Sequence, residues 1–372
     1  MPVRTPEETA AGSSTLLGAR VGDRYELVRL IGVGAVGQVF EARQVALARR
    51  VAVKLVPLPA GEGASGPQAR RFAIEGETLA RLAHPHVVSV FDVGVWRGQG
   101  FLVMELLPGR TLGDLMEEAG RVPLTRLIRV ARQVCAALDA THRAGVIHRD
   151  LKPTNILLAT VGGDDTFVKV IDFGIAKDLN SEAQLTVQGT PLGTPRYMAP
   201  EQVTGAAGAI GPAADIYSLG AILFRGAMGR TMFPDAHGMF QLIAHLREPP
   251  PRFDDVCPGH GLPPAFEEIV RRCLEKRLED RYASAAELDL ALARIEAELL
   301  LETSASGRRD RPADVPVPGA NVPRAEDLAA RPRVSLPPWA IAALVGGVAL
   351  TAAVLGGTLA HLARGPIATL GP

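Results

Sequence analysis

The chain has 372 residues, 47% hydrophobic and 22% charged, and its 40 basic residues cancel its 40 acidic ones. That length builds one large or two medium domains with a substantial core, and zero net charge argues against a nucleic-acid partner held by bulk electrostatics. Three cysteines, Cys135, Cys257 and Cys273, share no close spacing, which disfavours a disulfide framework or a zinc site and suits a reducing compartment.

Residues 1–22 are polar and lack the apolar core of a signal peptide, so they read as a flexible arm. Residues 23–300 have globular composition. Their first hundred positions hold short runs rich in β-branched and aromatic residues: YELVRLIG, GQVFEAR, RVAVKLVPL, VVSVFDVG and FLVMELL. These predict strands, interrupted by a helix at about 68–82. After Thr111 the pattern turns helical. TRLIRVARQVCAALDATHRAG is its clearest amphipathic stretch, with Gly145 suited to the C-terminal cap. Gly226, in FRGAMGR, falls where a buried helix is expected and reads as a weak point in it.

Residues 303–338 lose periodicity and carry seven prolines, the composition of a disordered linker. Residues 339–363 follow as one predicted transmembrane helix: Ala340 to Ala360 carries no charge over 21 residues, enough for roughly 30 Å of hydrocarbon. Trp339, His361 and Arg364 suit the interfaces. Arg324, Arg331 and Arg333 before the span outnumber Arg364 after it, which keeps the N-terminal side cytoplasmic and leaves 364–372 as a short outer tail. Ala349, Ala353 and Gly357 form a small-residue stripe by which two spans could pair into a homodimer.

Gly32-Val33-Gly34-Ala35-Val36-Gly37-Gln38-Val39 sits between two predicted strands. A dinucleotide-binding loop would open a helix here, whereas GQVFEAR continues as strand. A glycine hairpin lets backbone amides approach phosphates, with Val39 placed to pack on a flat ring. Only five basic residues are lysines, at 54, 152, 169, 177 and 276, so Lys54, seventeen positions after the hairpin, reads as a phosphate ligand that Glu75 on the next helix could pair with. His148-Arg149-Asp150-Leu151-Lys152-Pro153-Thr154-Asn155 suits neither helix nor strand. Seventeen residues after it comes Asp172-Phe173-Gly174, so that Asp150, Asn155 and Asp172 supply a base and two oxygen ligands for a hard divalent cation.

These elements, with Ala199-Pro200-Glu201, resemble in order and spacing the protein kinase catalytic domain, and in particular the bacterial eukaryotic-like (Hanks-type) serine/threonine kinases. The resemblance implies an α+β, bilobal fold: a small β-rich N-lobe and a larger helical C-lobe, followed here by the linker and the single span. It implies ATP and Mg²⁺, with Mn²⁺ as a substitute, and protein substrates bearing Ser or Thr. Lys54 would bind the α- and β-phosphates and pair with Glu75. Asp150 would take the hydroxyl proton, Lys152 steady the γ-phosphoryl group, and Asn155 and Asp172 hold the metal. Ile31, Val39, Ala52 and Leu157 would enclose adenine behind the glycine loop 32–37 and Gln38. Met104 would be the gatekeeper, and Glu105 and Leu107 the backbone partners in the hinge. Asp215 would anchor the catalytic loop and Arg281 pair with Glu201.

Arg149 and Lys177 would receive a phosphothreonine of the 175–198 segment, with Thr186 or Thr190 as the autophosphorylation site and Thr194 as the substrate-docking threonine. Two other readings compete: a membrane-anchored pseudokinase scaffold, and a small-molecule phosphotransferase. The first normally loses the lysine or one of the two aspartates, all present here, and the second does not need the complete segment ending in Glu201.

Overall fold

The computed structural model describes residues 16–34, 37–58, 66–161, 164–174, 195–205 and 210–309. Its N-terminal half is a six-stranded antiparallel sheet, ordered β1-β2-β3-β4-β6-β5. The strands are β1 Arg20–Val21, β2 Tyr25–Gly34, β3 Gly37–Gln44, β4 Arg49–Pro57, β5 Val90–Trp96 and β6 Gln99–Glu105. Period-two alternation divides each strand between two faces. Val51, Val53, Leu55, Phe101 and Val103 join one apolar cluster, while Ala52, Val56, Leu102 and Met104 face the main core. Helix α1, Pro67–Arg81, carries Pro67 in its first turn and buries Ala69, Phe72, Gly76 and Leu79, one stripe at helical spacing.

The second half is mainly helical. It begins with a small antiparallel sheet of β7 Arg110–Thr111, β8 Ile156–Val161 and β9 Asp164–Val170. Helices α2 Leu112–Ala119, α3 Leu124–Arg143, α4 Pro200–Thr204, α5 Pro212–Met228, α6 Met239–Arg247, α7 Phe253–Val256, α8 Pro264–Cys273 and α9 Ala285–Arg309 complete it. Thr111 caps α2 reciprocally: Asp114 N–H donates to its hydroxyl at 3.1 Å, and Thr111 N–H donates to the Asp114 carboxylate at 2.7 Å. The α3 stretch ends as expected, with Gly145 at φ 78° just beyond Ala144. Helix α5 is buried on almost every face, and the core of this lobe is built around it.

Two expectations change. Gly226 is a close-contact residue: a Cβ there would lie 2.7 Å from Leu127 Cδ1 and 3.1 Å from Met116 Cε, so its missing side chain lets α5 approach α3 and α2. Helix α9 also runs to Arg309, seven residues into the stretch expected to be linker. No proline lies between Ala285 and Pro312 to stop it. It is clamped to α3 by Arg132, which meets Asp289 at 2.8 Å and Glu296 at 2.5 Å. Among the described residues no helix is long and apolar enough to cross a membrane; the expected span at 339–363 lies outside them.

The two lobes are stitched together by the segment before β5. Val87 bridges Val170 in parallel, Val88 N–H donates to Val170 O at 3.0 Å, and Val170 N–H donates to His86 O at 2.8 Å. This fixes β9, and the acidic turn after it, against the N-terminal sheet.

Candidate active site

The catalytic-loop candidates are organised by one buried carboxylate. Asp215, on the first turn of α5 and fully buried, accepts from His148 N–H at 2.8 Å, Arg149 N–H at 2.9 Å and His142 Nε2 at 2.8 Å. Burial pushes the His148 imidazole below its usual range. A neutral ring fits its contacts: Nε2 donates to Ile171 O at 3.1 Å and Nδ1 accepts Asp150 N–H at 3.3 Å. Phe173 packs tilted against this ring, centroids 4.7 Å apart, and Gly174 N–H donates to His148 O at 2.9 Å, tying the acidic turn to the loop.

Two expected residues meet on Asp150. Lys152 Nζ donates to its Oδ2 at 2.8 Å, and Asn155 Nδ2 donates to its carbonyl at 2.9 Å and to Oδ2 at 3.4 Å. The turn Pro153–Asn155 presents these groups, and Asn155 O accepts Ile171 N–H at 2.9 Å, which sets Asn155 beside Asp172. Arg149 and Asp172 both have left-handed backbone, φ 60° and 65°, a conformation that costs an ordinary side chain roughly 1–2 kcal/mol.

Lys54 lies on β4 between Ala52 and Val56 on the face toward the helical lobe, opposite Val39 and Leu102. The expected Lys54–Glu75 pair is replaced: Lys54 Nζ is ion-paired with Asp172 Oδ1, and Glu75 Oε1 lies 4.0 Å from Arg149 Nη1. Two carboxylates face two cations here. The left-handed turn at Asp172 carries its carboxylate to the lysine, and Arg149 takes Glu75. Behind Lys54 a small apolar cavity is lined by Phe72, Leu79, Val90, Met104 and Phe173.

The expected adenine residues share that face in part. Val39 packs on the main core with Ala52 and Met104, which pair across β4 and β6. Leu157 is nearly buried on β8; Ile31 and Val33 are exposed on β2; Leu107 is half-buried after β6. Gly32 pairs with Val39, and Gly34 with Gly37 at the hairpin's neck next to Gln38. At Gly37, φ 149°, a Cβ would lie 2.1 Å from Leu55 O, so no other residue fits. Ala35, Val36, Lys177, Thr186, Thr190 and Thr194 lie outside the described residues.

Two further features escaped sequence reasoning. Glu105 is held by its side chain as well as by its strand: Lys169 Nζ meets its Oε1 at 2.7 Å and Ser89 N–H donates to the same atom at 2.7 Å. Lys169 also donates to Val87 O at 3.1 Å, joining β9, the segment before β5 and the expected hinge. The scarcity of lysine flagged Lys169, but no spacing pointed to Glu105. Gln202 donates to Arg149 O at 2.8 Å and had no signal in the sequence.

A twisted antiparallel sheet over a helical lobe, with a carboxylate, two lysines and two oxygen donors gathered where they meet, defines a phosphotransferase of the protein kinase class. The chain matches the protein kinase domain over residues 25–290 and belongs to that family. It is 37% identical over 319 residues to the serine/threonine-protein kinase PknA of Mycobacterium tuberculosis, covering 84% of this chain and 68% of that protein. To Pkn1 of Myxococcus xanthus it is 38% identical over 304 residues, 81% of this chain and 42% of that one. The PknI kinase domain of Mycobacterium tuberculosis superposes with a TM-score of 0.57 at 26% identity, covering 76% of this chain and 98% of that one. Rad53 1–466 in complex with AMP-PNP shares the fold, with a TM-score of 0.58 at 21% identity over 76% of this chain and 67% of that one. The chain is a bacterial Hanks-type serine/threonine protein kinase, an ATP-dependent phosphotransferase.

Proposed function

We propose that Asp150 is the base of the transfer. As the acceptor oxygen forms its bond to the γ-phosphorus of ATP and the bond to the β,γ-bridging oxygen breaks, the hydroxyl proton passes to Asp150 and ADP leaves with the bond's electron pair. The convergence of Lys152 and Asn155 on Asp150 carries this reading, since it holds the carboxylate aimed while Lys152 stays near the transferring group. Lys54 would bind the α- and β-phosphates, with the glycine hairpin above them. Asn155 and Asp172 offer hard oxygen donors that fit Mg²⁺ or Mn²⁺: the Asn155 amide nitrogen is engaged by Asp150, which leaves its oxygen for a cation. Bound there, the ion neutralises phosphate charge.

Activation follows from competition for Arg149. A phosphate on Thr186 or Thr190 would bring a dianion to Arg149 and Lys177, displace the Glu75 carboxylate from Arg149, and release it toward Lys54. Thr194 would dock the protein substrate. The uncharged run within 339–363 supports a single span in the cell membrane, with the kinase domain cytoplasmic and copies held close enough for phosphorylation in trans.

The test is phosphate incorporation from labelled ATP with Mg²⁺ by the full chain beside Asp150→Asn and Asp172→Asn, followed by mass mapping. Label on wild type alone, on Thr186 or Thr190, is expected; equal labelling of Asp150→Asn would remove the base assignment. Vesicle association that persists after deleting 339–363 would remove the tether.

A further inference from the structure

Gln202 stands on the first turn of α4, three residues after Ala199. Its side-chain oxygen accepts Ala199 N–H at 3.0 Å, and its nitrogen donates to Arg149 O at 2.8 Å. One end faces a donor and the other a carbonyl, so the chemistry fixes which way the amide points.

The carbonyl it holds belongs to the peptide bond immediately before Asp150. That peptide's own N–H donates to His148 O at 2.8 Å, and Arg149 N–H donates to Asp215 Oδ1 at 2.9 Å. Arg149 therefore keeps its left-handed backbone because its two flanking peptides are gripped, one by Asp215 and one by Gln202. Without the Gln202 bond, that carbonyl loses this grip and the strained turn can relax, carrying the Asp150 carboxylate with it. At its other end Gln202 grips the start of α4, just after Pro195–Tyr197, whose Tyr197 O accepts Ser218 Oγ at 2.7 Å. Asp150, Lys152, Tyr197, Met198, Gln202 and Ser218 line one cavity between these two stretches of chain.

We propose that Gln202 is a positioning residue for phosphoryl transfer: it locks the peptide before Asp150 to the segment leading into α4, so that the base and the docking surface for the acceptor protein are set by one side chain. This rests on Asp150 being the base. Gln202 bonds Ala199 and Arg149 and makes no described hydrogen bond to Lys54 or the hinge, so its effect belongs in kcat and in the acceptor's KM, with the KM for ATP unchanged.

Gln202→Glu separates the two ends. It keeps an oxygen for Ala199 N–H and turns a second one against the Arg149 carbonyl. With the full chain, ATP·Mg²⁺ and myelin basic protein as acceptor, kcat is expected to fall about tenfold or more, the order of loss that small misplacements of reacting groups produce. The KM for ATP and the thermal shift on adding ATP·Mg²⁺ should match wild type. A kcat within twofold of wild type overturns the proposal, as does a loss of kcat with an equal loss of the nucleotide-induced shift, which would mark damage to the fold. Should Gln202→Glu not fold, Gln202→Met carries the same test, and wild-type kcat there overturns it equally. Asp150→Asn run in parallel distinguishes the two readings: if it is inactive while Gln202→Glu is normal, only the role of Gln202 falls.

Discussion

Arg281, without solvent exposure, places Nη1 and Nη2 on the two carboxylate oxygens of Glu201 at 2.8 and 2.9 Å, joining the residues after α8 to the start of α4. The remaining donors are engaged as well: Nε donates to Glu275 O at 2.7 Å, and Nη1 also donates to Ala213 O at 2.8 Å. A buried pair of this kind is costly to break from one side, because the other charge stays behind. Arg281→Met should lower the unfolding free energy by about 3–5 kcal/mol in urea titration. The double variant Arg281→Met, Glu201→Gln should recover part of that loss.

His245 is fully buried on α6, where Tyr217 OH lies 3.0 Å from its Nδ1 and the Lys276 ammonium lies 2.8 Å from its carbonyl. Burial, assisted by Lys276, pushes its pKa down to about 4. The unfolded chain binds the proton first, near the usual value of 6.5, so stability is present above that pH and falls as pH drops toward about 4. The full loss is about 3 kcal/mol. Urea titrations of wild type and His245→Gln at pH 7 and pH 5 should show a smaller pH-dependent loss in the variant.

Lys169 acts on the hinge from behind, with its ammonium and Ser89 N–H both on Glu105 Oε1. Lys169→Met should leave the Glu105 side chain held by Ser89 N–H and loosen the backbone expected to contact adenine. Removing one charge-assisted bond at the edge of the site should raise the KM for ATP roughly threefold to tenfold. Steady-state kinetics checks this, with kcat expected within twofold.

Gly226→Ala adds a methyl group where Leu127 Cδ1 is only 2.7 Å away. Helix propensity favours alanine by about 1 kcal/mol. Overpacking costs about 1–3 kcal/mol and should win, because Leu127 and Met116 are themselves buried. Thermal unfolding should show a lower Tm for the variant.

Strands and helices were legible because their signals are local. The helix expected at 68–82 is Pro67–Arg81, announced by a proline at its start and an apolar stripe. The strand expected from Val87 begins at Val90, because Val88 and Ser89 give their N–H groups to Val170 O and the Glu105 side chain instead. The same distinction holds in the site. Asp150, Lys152 and Asn155 lie within one short loop, so their meeting could be read from the chain. Which carboxylate meets Lys54 depends on how β4, α1 and β9 pack, 118 residues apart for Lys54 and Asp172, and no short-range pattern encodes that. Gln202 and Lys169 act through contacts of the same long-range kind.

Asp215 has a consequence for how the catalytic loop opens. Its carboxylate is buried with α5, and its charge is compensated by His142 and by the amides of His148 and Arg149. A state with α5 docked but the loop detached would leave much of that charge uncompensated inside the lobe, a penalty of several kcal/mol. Loop and core therefore form one cooperative unit, and the amides of His148 and Arg149 should exchange with deuterium at the rate of the α5 amides, through global unfolding and not through local opening.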